Sequence, residues 1–194
     1  PILLQTLNLL DGYDLAGLGH NSTAYIHTLV EALKLCFADR HHYYGDPRFV
    51  DVPESGLLSA EYAACRRGLI RDDWAFPDMP NAGDPSRPAA LAEPCEPPEP
   101  TRTPSSPGPD TSYVCTTDKL GNLFSVSPSD PSYDMQVIPG TGICPSSRGT
   151  QSWVDPDSPS CVAPGKRPRL TPMPAFALKN GCPVYAFGTP GGDV

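Results

Sequence analysis

Several features that mark whole functional classes are missing from this chain. No run of apolar residues approaches the ~20 that a membrane-spanning helix requires, so no transmembrane segment is expected. Basic residues are in the minority: 14 Lys and Arg against 22 Asp and Glu give a net charge of −8. That balance argues against nucleic acid and against anionic membrane surfaces, since both select basic patches. No two cysteines are spaced C-x-x-C, and Cys36 near His41 and His42 has no second ligand pair, so no metal is expected. The seven cysteines are an odd number and cannot all pair within the chain. They read as scattered thiols of a reduced compartment, with one or two disulfides as the alternative. The chain opens at Pro1 with neither Met nor a signal-like stretch, so a trimmed start is expected and the compartment stays open. Gly140-Thr141-Gly142 and Pro190-Gly191-Gly192 have neither the Walker lysine nor dinucleotide spacing, and no internal repeat is present.

What is abundant is Pro, at 26 of 194 residues, with 17 Gly. This is unusual for one compact domain. Composition divides the chain into residues 1–76, helical; 77–110, a Pro-rich connector; and 111–194, rich in strand and turn signals. In the first part, Asn21 and Ser22 are candidate N-caps for a helix with Ile26, Leu29, Val30, Leu33 and Phe37 as its apolar face. It is expected to run to about Tyr43 and to stop before Gly45-Asp46-Pro47. His41 and His42, beside Asp39 and Arg40, read as solvated helix residues. A shorter helix is expected from an N-cap at Ser59 to near Leu69, with Glu61 in the first turn where the helix dipole favours an acid. From Pro77 to Pro109 there is little to bury, so this stretch reads as a flexible or polyproline-like connector; a Pro-rich recognition ligand is the other reading.

Beyond Thr111 two hairpins are predicted. One joins Tyr113–Thr117 to Leu123–Ser127 through Asp118-Lys119-Leu120-Gly121-Asn122. The other joins Ala175–Leu178 to Val184–Phe187 through Asn180-Gly181, which suits a type I′ turn because both central residues need positive φ. The stretch from Pro128 to Pro174 between them is long for a structureless loop and points to function or to support by neighbours. Taken singly, none of these residues names an enzyme. A Thr opening a strand is ordinarily a β-branched residue on a pleated surface, and paired glycines are ordinarily a turn.

The order of the segments says more. Gln5-Thr6-Leu7-Asn8-Leu9-Leu10, Gly19-His20-Asn21-Ser22, Leu29-Val30-Glu31-Ala32-Leu33-Lys34, Phe37-Ala38-Asp39-Arg40 and Tyr43-Tyr44-Gly45-Asp46-Pro47 together resemble the end of the large subunit of γ-glutamyltranspeptidases. Past the connector, Asp110-Thr111-Ser112-Tyr113 resembles that family's cleavage junction. Asp118-Lys119-Leu120-Gly121-Asn122, Pro139-Gly140-Thr141-Gly142, Pro164-Gly165-Lys166-Arg167-Pro168 and Gly188-Thr189-Pro190-Gly191-Gly192 follow in the family's order. The resemblance covers residues 1 to about 75 and 110 to 194.

The resemblance implies an α+β fold, part of the four-layer αββα sandwich of N-terminal-nucleophile hydrolases. It also implies a proenzyme that cuts its own Asp110–Thr111 bond into a large and a small subunit that stay together as a heterodimer. The substrate would be a γ-glutamyl compound or another small amide, and no cofactor is implied. Thr111 would be the nucleophile, Ser129 its hydroxyl partner, and the N–H groups of Gly191 and Gly192 the oxyanion donors. Four positions depart from the family pattern, the first being Ser129, which stands where a Thr is usual and keeps the hydroxyl. Pro131 stands where an Asn helps bind the glutamyl group, Gln151 where an Asp pairs with the substrate ammonium, and Leu170 where one of two serines is usual, while Thr171 keeps the other hydroxyl. Arg148 is a candidate replacement contact for an anion, against the plainer reading of a solvated surface arginine. These changes leave the hydrolytic core and alter the acyl pocket, in the manner of family branches that act as acylases or small-amide hydrolases. The rival from outside enzymology is a truncated, non-catalytic remnant.

Overall fold

The computed structural model describes residues 1–88, 112–128, 135–170 and 172–189. It divides into two compact units. The first spans Pro1–Thr101 and Trp153–Arg167, the second Arg102–Ser152 and Pro168–Val194.

The first unit is helical: α1 Ile2–Leu10, α2 Leu15–Leu18, α3 Thr23–Tyr43, α4 Glu54–Leu57 and α5 Ala60–Arg67. The long helix starts where the sequence places it, and of the two candidate caps Ser22 is the one used. Its hydroxyl accepts from Tyr25 N, while Asn21 takes a left-handed φ of 56°. Ser59 caps α5 in the same way by accepting from Tyr62 N. Helix α1 packs on α3 and α5. Leu9, Leu10, Ala32, Leu35, Cys36 and Ala63 close the core, with Leu29, Leu69, Ile70 and Phe76 against it.

The buried face of α3 differs from the expected one. Ile26 and Val30 are exposed, and the helix instead buries Thr28, Glu31, Ala32, Leu35, Cys36, Ala38, Asp39 and Arg40. Polar burial is tolerated because each acid is answered. Glu31 accepts from Phe76 N at 2.8 Å and pairs with Lys34 at 2.7 Å. Asp39 accepts from Tyr62 Oη at 2.9 Å, Arg66 Nη2 at 3.2 Å, Gly83 N at 2.9 Å and Gln5 Nε2. Asp39 is thus fully buried beside the two histidines, and of these His41 meets the Trp153 ring edge-on at 5.6 Å. The start of the Pro-rich stretch is not a free connector either. Gly83 N reaches Asp39, Gly83 O accepts from Tyr43 Oη at 2.7 Å, and Asn81 O accepts from Arg66 Nη2 at 2.9 Å. Backbone hydrogen bonds anchor this segment where apolar area is scarce. Residues 89–110 of that stretch lie outside the described residues.

The second unit holds two antiparallel hairpins: β1 Val114–Thr117 with β2 Leu123–Val126, and β3 Ala175–Lys179 with β4 Cys182–Phe187. Strand β4 also lies against β1 and β2. The first turn closes on Asp118, whose carboxylate accepts from Leu120 N, Asn122 N and Asn122 Nδ2. In the second, Asn180 and Gly181 have φ of 54° and 78°, the pair of positive values a type I′ turn needs. The β3–β4 register shifts between Ala177 and Leu178, opposite Pro183, which has no N–H to give the ladder.

Candidate functional site

Thr111, Asp110, Ser129, Thr171, Gly191 and Gly192 lie outside the described residues, as does Pro131. The described residues of the second unit show the frame that leads to them. Strand β1 begins three residues beyond Thr111. Its partner is set by the register Val114↔Val126, Cys115↔Ser125, Thr116↔Phe124 and Thr117↔Leu123. Tyr113, just before β1, shares a hydrogen bond between its phenol oxygen and Ser125 Oγ at 2.9 Å.

The same tyrosine ties β1 to the end of β4. Gly188 directly follows β4, and its Cα lies so close under the Tyr113 ring that an added Cβ would fall 2.6 Å from Tyr113 Cε2. The same Cβ would fall 2.9 Å from Met173 O. No side chain fits there, so Gly188 is required by close approach. Three chain paths meet at this point. Tyr113 is two residues after Thr111, Met173 two after Thr171, and Gly188 three before Gly191.

Arg148 and Gln151 are described, and both sit on the 3-10 helix Ser147–Gln151, three residues apart and so nearly eclipsed. Ser146 caps that turn by accepting from Arg148 N at 3.1 Å. Gln151 Oε1 is shut off from solvent and has no hydrogen-bond partner among the described residues. A buried acceptor left unmet costs free energy, and a bound donor would relieve it. Between Met135 and that helix, Pro139-Gly140-Thr141-Gly142 forms a tight turn with φ of 78° and 70° at its glycines. Thr141 Oγ1 donates to Ile138 O at 2.9 Å and accepts from Ile143 N at 3.1 Å. Among the described residues no group of His, Cys, Asp and Glu could hold a metal ion, and no helix is long and apolar enough to cross a membrane. A shallow hollow lined by Ile26, His27, Val30 and Lys34 belongs to the helical unit and contains none of the candidate residues.

Reading the sequence passed over Tyr113 and Gly188 as elements of the frame. Both lie within the segments that carry the family resemblance, but neither a tyrosine nor a glycine marks by itself a contact across 75 positions.

The sequence model of the gamma-glutamyltranspeptidase family matches residues 1–194. The chain belongs to this family. It is 35% identical over 191 residues to the acylase ACY 1 proenzyme of Pseudomonas sp. (strain SE83), covering 97% of this chain and 30% of that protein. It is 33% identical over 192 residues to the glutathione hydrolase-like YwrD proenzyme of Bacillus subtilis (strain 168), covering 98% of this chain and 32% of that protein. A solved cephalosporin acylase from Bacillus halodurans superposes with a TM-score of 0.72 at 29% identity, over 95% of this chain and 29% of that one. The chain thus spans about 30% of the length of the curated relatives it matches. These neighbours agree with an α+β fold, and the named family members are enzymes.

Proposed function

We propose that this chain is part of a self-cleaving N-terminal-threonine amide hydrolase, with Thr111 as nucleophile and as its own base. The observation that supports the reading is the meeting of Tyr113, Met173 and Gly188, which stand two or three positions from Thr111, Thr171 and Gly191 in the sequence. The ladder register adds to it. Val114 and Val126, the outermost pair of that ladder, stand three positions from Thr111 and from Ser129 in the sequence. In this reading 1–76 closes the large subunit, 77–110 runs to the scissile bond, and 111–194 opens the small subunit. The β3–β4 hairpin leaves Phe176 and Leu178 exposed on one face and Tyr185 on the other, as suits an inner layer covered on both sides in a four-layer αββα sandwich.

The chemistry follows from the cut. A threonine hydroxyl is a weak nucleophile until a neighbouring base takes its proton. Hydrolysis of the Asp110–Thr111 bond frees an α-amine with an ordinary pKa of about 7.7–8.0, suited to that task near neutral pH. The hydroxyl oxygen then attacks the substrate carbonyl, and its proton passes through the amine to the leaving nitrogen. The resulting ester is hydrolysed by water, or passes its acyl group to an acceptor amine. Gly191 and Gly192 would supply N–H donors to the developing oxyanion, each worth about 2.7–4 kcal/mol in the transition state.

The acyl group is read from Gln151. A neutral carboxamide offers no counter-charge to a substrate ammonium, whereas its unpaired Oε1 suits a neutral N–H or hydroxyl donor. This favours an acyl group other than γ-glutamyl, with Arg148 and Thr171 as further contacts, over γ-glutamyl transfer or glutathione hydrolysis. The test has two parts on the full-length protein. Thr111→Ala is expected to remain a single chain on a denaturing gel while the wild type gives two, the second beginning Thr-Ser-Tyr-Val. Continued cutting in that variant refutes the assignment, and an uncut wild type supports a non-catalytic remnant. Hydrolysis of simple acyl amides in preference to γ-glutamyl anilides supports the altered pocket, and the reverse preference restores the γ-glutamyl reading.

A further inference from the structure

The helical unit contains a piece of chain that the proposed cut would separate from it. Trp153–Arg167 packs with the helices, yet lies downstream of Asp110–Thr111. Its receptor is the short loop after α3. Asp46 is buried at the centre of that loop and faces two cations, Arg48 from its own loop at 2.9 Å and Arg167 from the incoming segment at 3.0 Å. Asp46 also accepts from Arg167 N at 2.9 Å, so it grips the backbone as well as the side chain. Arg48 Nη2 in turn donates to Gly165 O at 2.6 Å, and Ser160 Oγ donates to Tyr44 O at 2.8 Å. The fit leaves no slack, because a Cβ on Gly45 would fall 2.1 Å from Pro159 O.

We infer that the Tyr44–Arg48 loop is the dock that keeps the small subunit on the large one after self-cleavage, and that Asp46 is its positioning residue. The inference rests on the cleavage proposed above. Before the cut the bonds between loop and segment join residues 116 to 121 apart in one chain. After it they join two chains, and ligation to a common backbone no longer supports them. Charge-assisted hydrogen bonds suit that duty because they are directional and about twice as strong as neutral ones. Arg167 has 61% of its side chain exposed, so the pair can be opened from its outer member without emptying a core site.

The experiment uses the full-length protein, expressed and allowed to mature. Release of the small subunit is followed by size exclusion in sub-denaturing urea for wild type, Arg167→Met, Asp46→Asn and Arg71→Met, the last removing an exposed Arg71–Asp73 pair of the same unit. All four are expected to be cut. Release is expected to quicken about tenfold or more in Arg167→Met and Asp46→Asn and to stay at the wild-type rate in Arg71→Met. A cut protein whose release rate is the same in all four overturns the dock alone. Equal acceleration by Arg71→Met also overturns it, since the effect would be general. Should Asp46→Asn fail to fold, Arg167→Met decides. An Arg167→Met protein that stays uncut while the wild type is cut also counts against the dock, since the residue would then serve the cutting step. An uncut wild type removes the self-cleavage reading and the dock with it.

Discussion

Asp39 offers a test of the helical unit that separates charge from hydrogen bonding. Its carboxylate is fully buried at the junction of α1, α3, α5 and the Gly83 segment, and every one of its partners is a donor. Burial pushes this carboxyl up, and the Arg66 guanidinium and the hydrogen bonds from Gly83, Tyr62 and Gln5 pull against it. Asp39→Ala strands the donors of Gln5, Tyr62 and Gly83 and leaves Arg66, only 4% exposed at its side chain, without its counter-charge. Breaking a buried pair from one side costs about 3–5 kcal/mol. Arg66 Nη2 retains Leu35 O at 3.2 Å and Asn81 O at 2.9 Å, which places the cost in the lower half of that range. Asp39→Asn behaves differently. Its oxygen can stay on Arg66 and Gly83, while its new NH₂ faces the Tyr62 hydroxyl, which can turn to accept, and Gln5, whose Oε1 has no partner and can turn likewise. Only the charge is lost, at about 1–2 kcal/mol. For a unit of this size each kcal/mol lowers the melting temperature by roughly 4 °C or more, so Ala should melt about 12 °C or more below wild type. Asn should fall by about half as much. Thermal melts followed by far-UV circular dichroism measure both, and the reasoning fails if Asn costs as much as Ala or if Ala melts with the wild type.

Two further outcomes follow from the same structure. Arg48 and then Arg167 hold the Asp46 carboxyl far below the usual carboxylate range, so its stabilisation is complete above the ordinary pKa of about 3.9 and is lost as pH falls below it. The denaturation midpoints of wild type and Asp46→Asn should therefore differ by a constant gap from pH 7 to about 5 and converge in stronger acid; a gap independent of pH refutes the linkage. At the candidate site, Gly188→Ala forces a methyl group between Tyr113 and Met173 O, an overpacking that costs about 1–3 kcal/mol. It should slow self-cleavage on a timed denaturing gel more than Gly149→Ala does, since no atom lies within 4 Å of a Cβ added at Gly149. Equal rates would mean that the Tyr113–Gly188 contact does not serve the site.

What could be read from the sequence was local. Ser22 and Ser59 were legible as caps because a hydroxyl acts on N–H groups two or three residues ahead, and Asn180-Gly181 because two adjacent residues need positive φ. The face of α3 was not legible, since periodicity assumes that charged residues face water. Besides Lys34 on the same helix, Asp39 and Glu31 have partners 23 to 45 residues away, which no helical pattern records. The same holds for residues 77–88, where poverty in apolar residues suggested a free connector while hydrogen bonds to Asp39 and Tyr43 hold the chain in place.

The candidate site shows the limit most sharply, because Thr111 has no local signature at all. It is marked only by what surrounds it in order along the chain, and the structure adds to that order a contact between distant segments. Tyr113 and Gly188 are 75 positions apart, and a glycine is needed at one because an aromatic ring occupies the space beside it. In the proposed reading the halves would be held by contacts formed before the cut, for afterwards covalent continuity would contribute nothing. Asp46 and Arg167 meet that condition in the first unit, and the second unit has the Tyr113–Gly188 contact downstream of the bond. The two contacts thus divide the labour: one can be tested by whether subunits part, the other by whether the bond is cut.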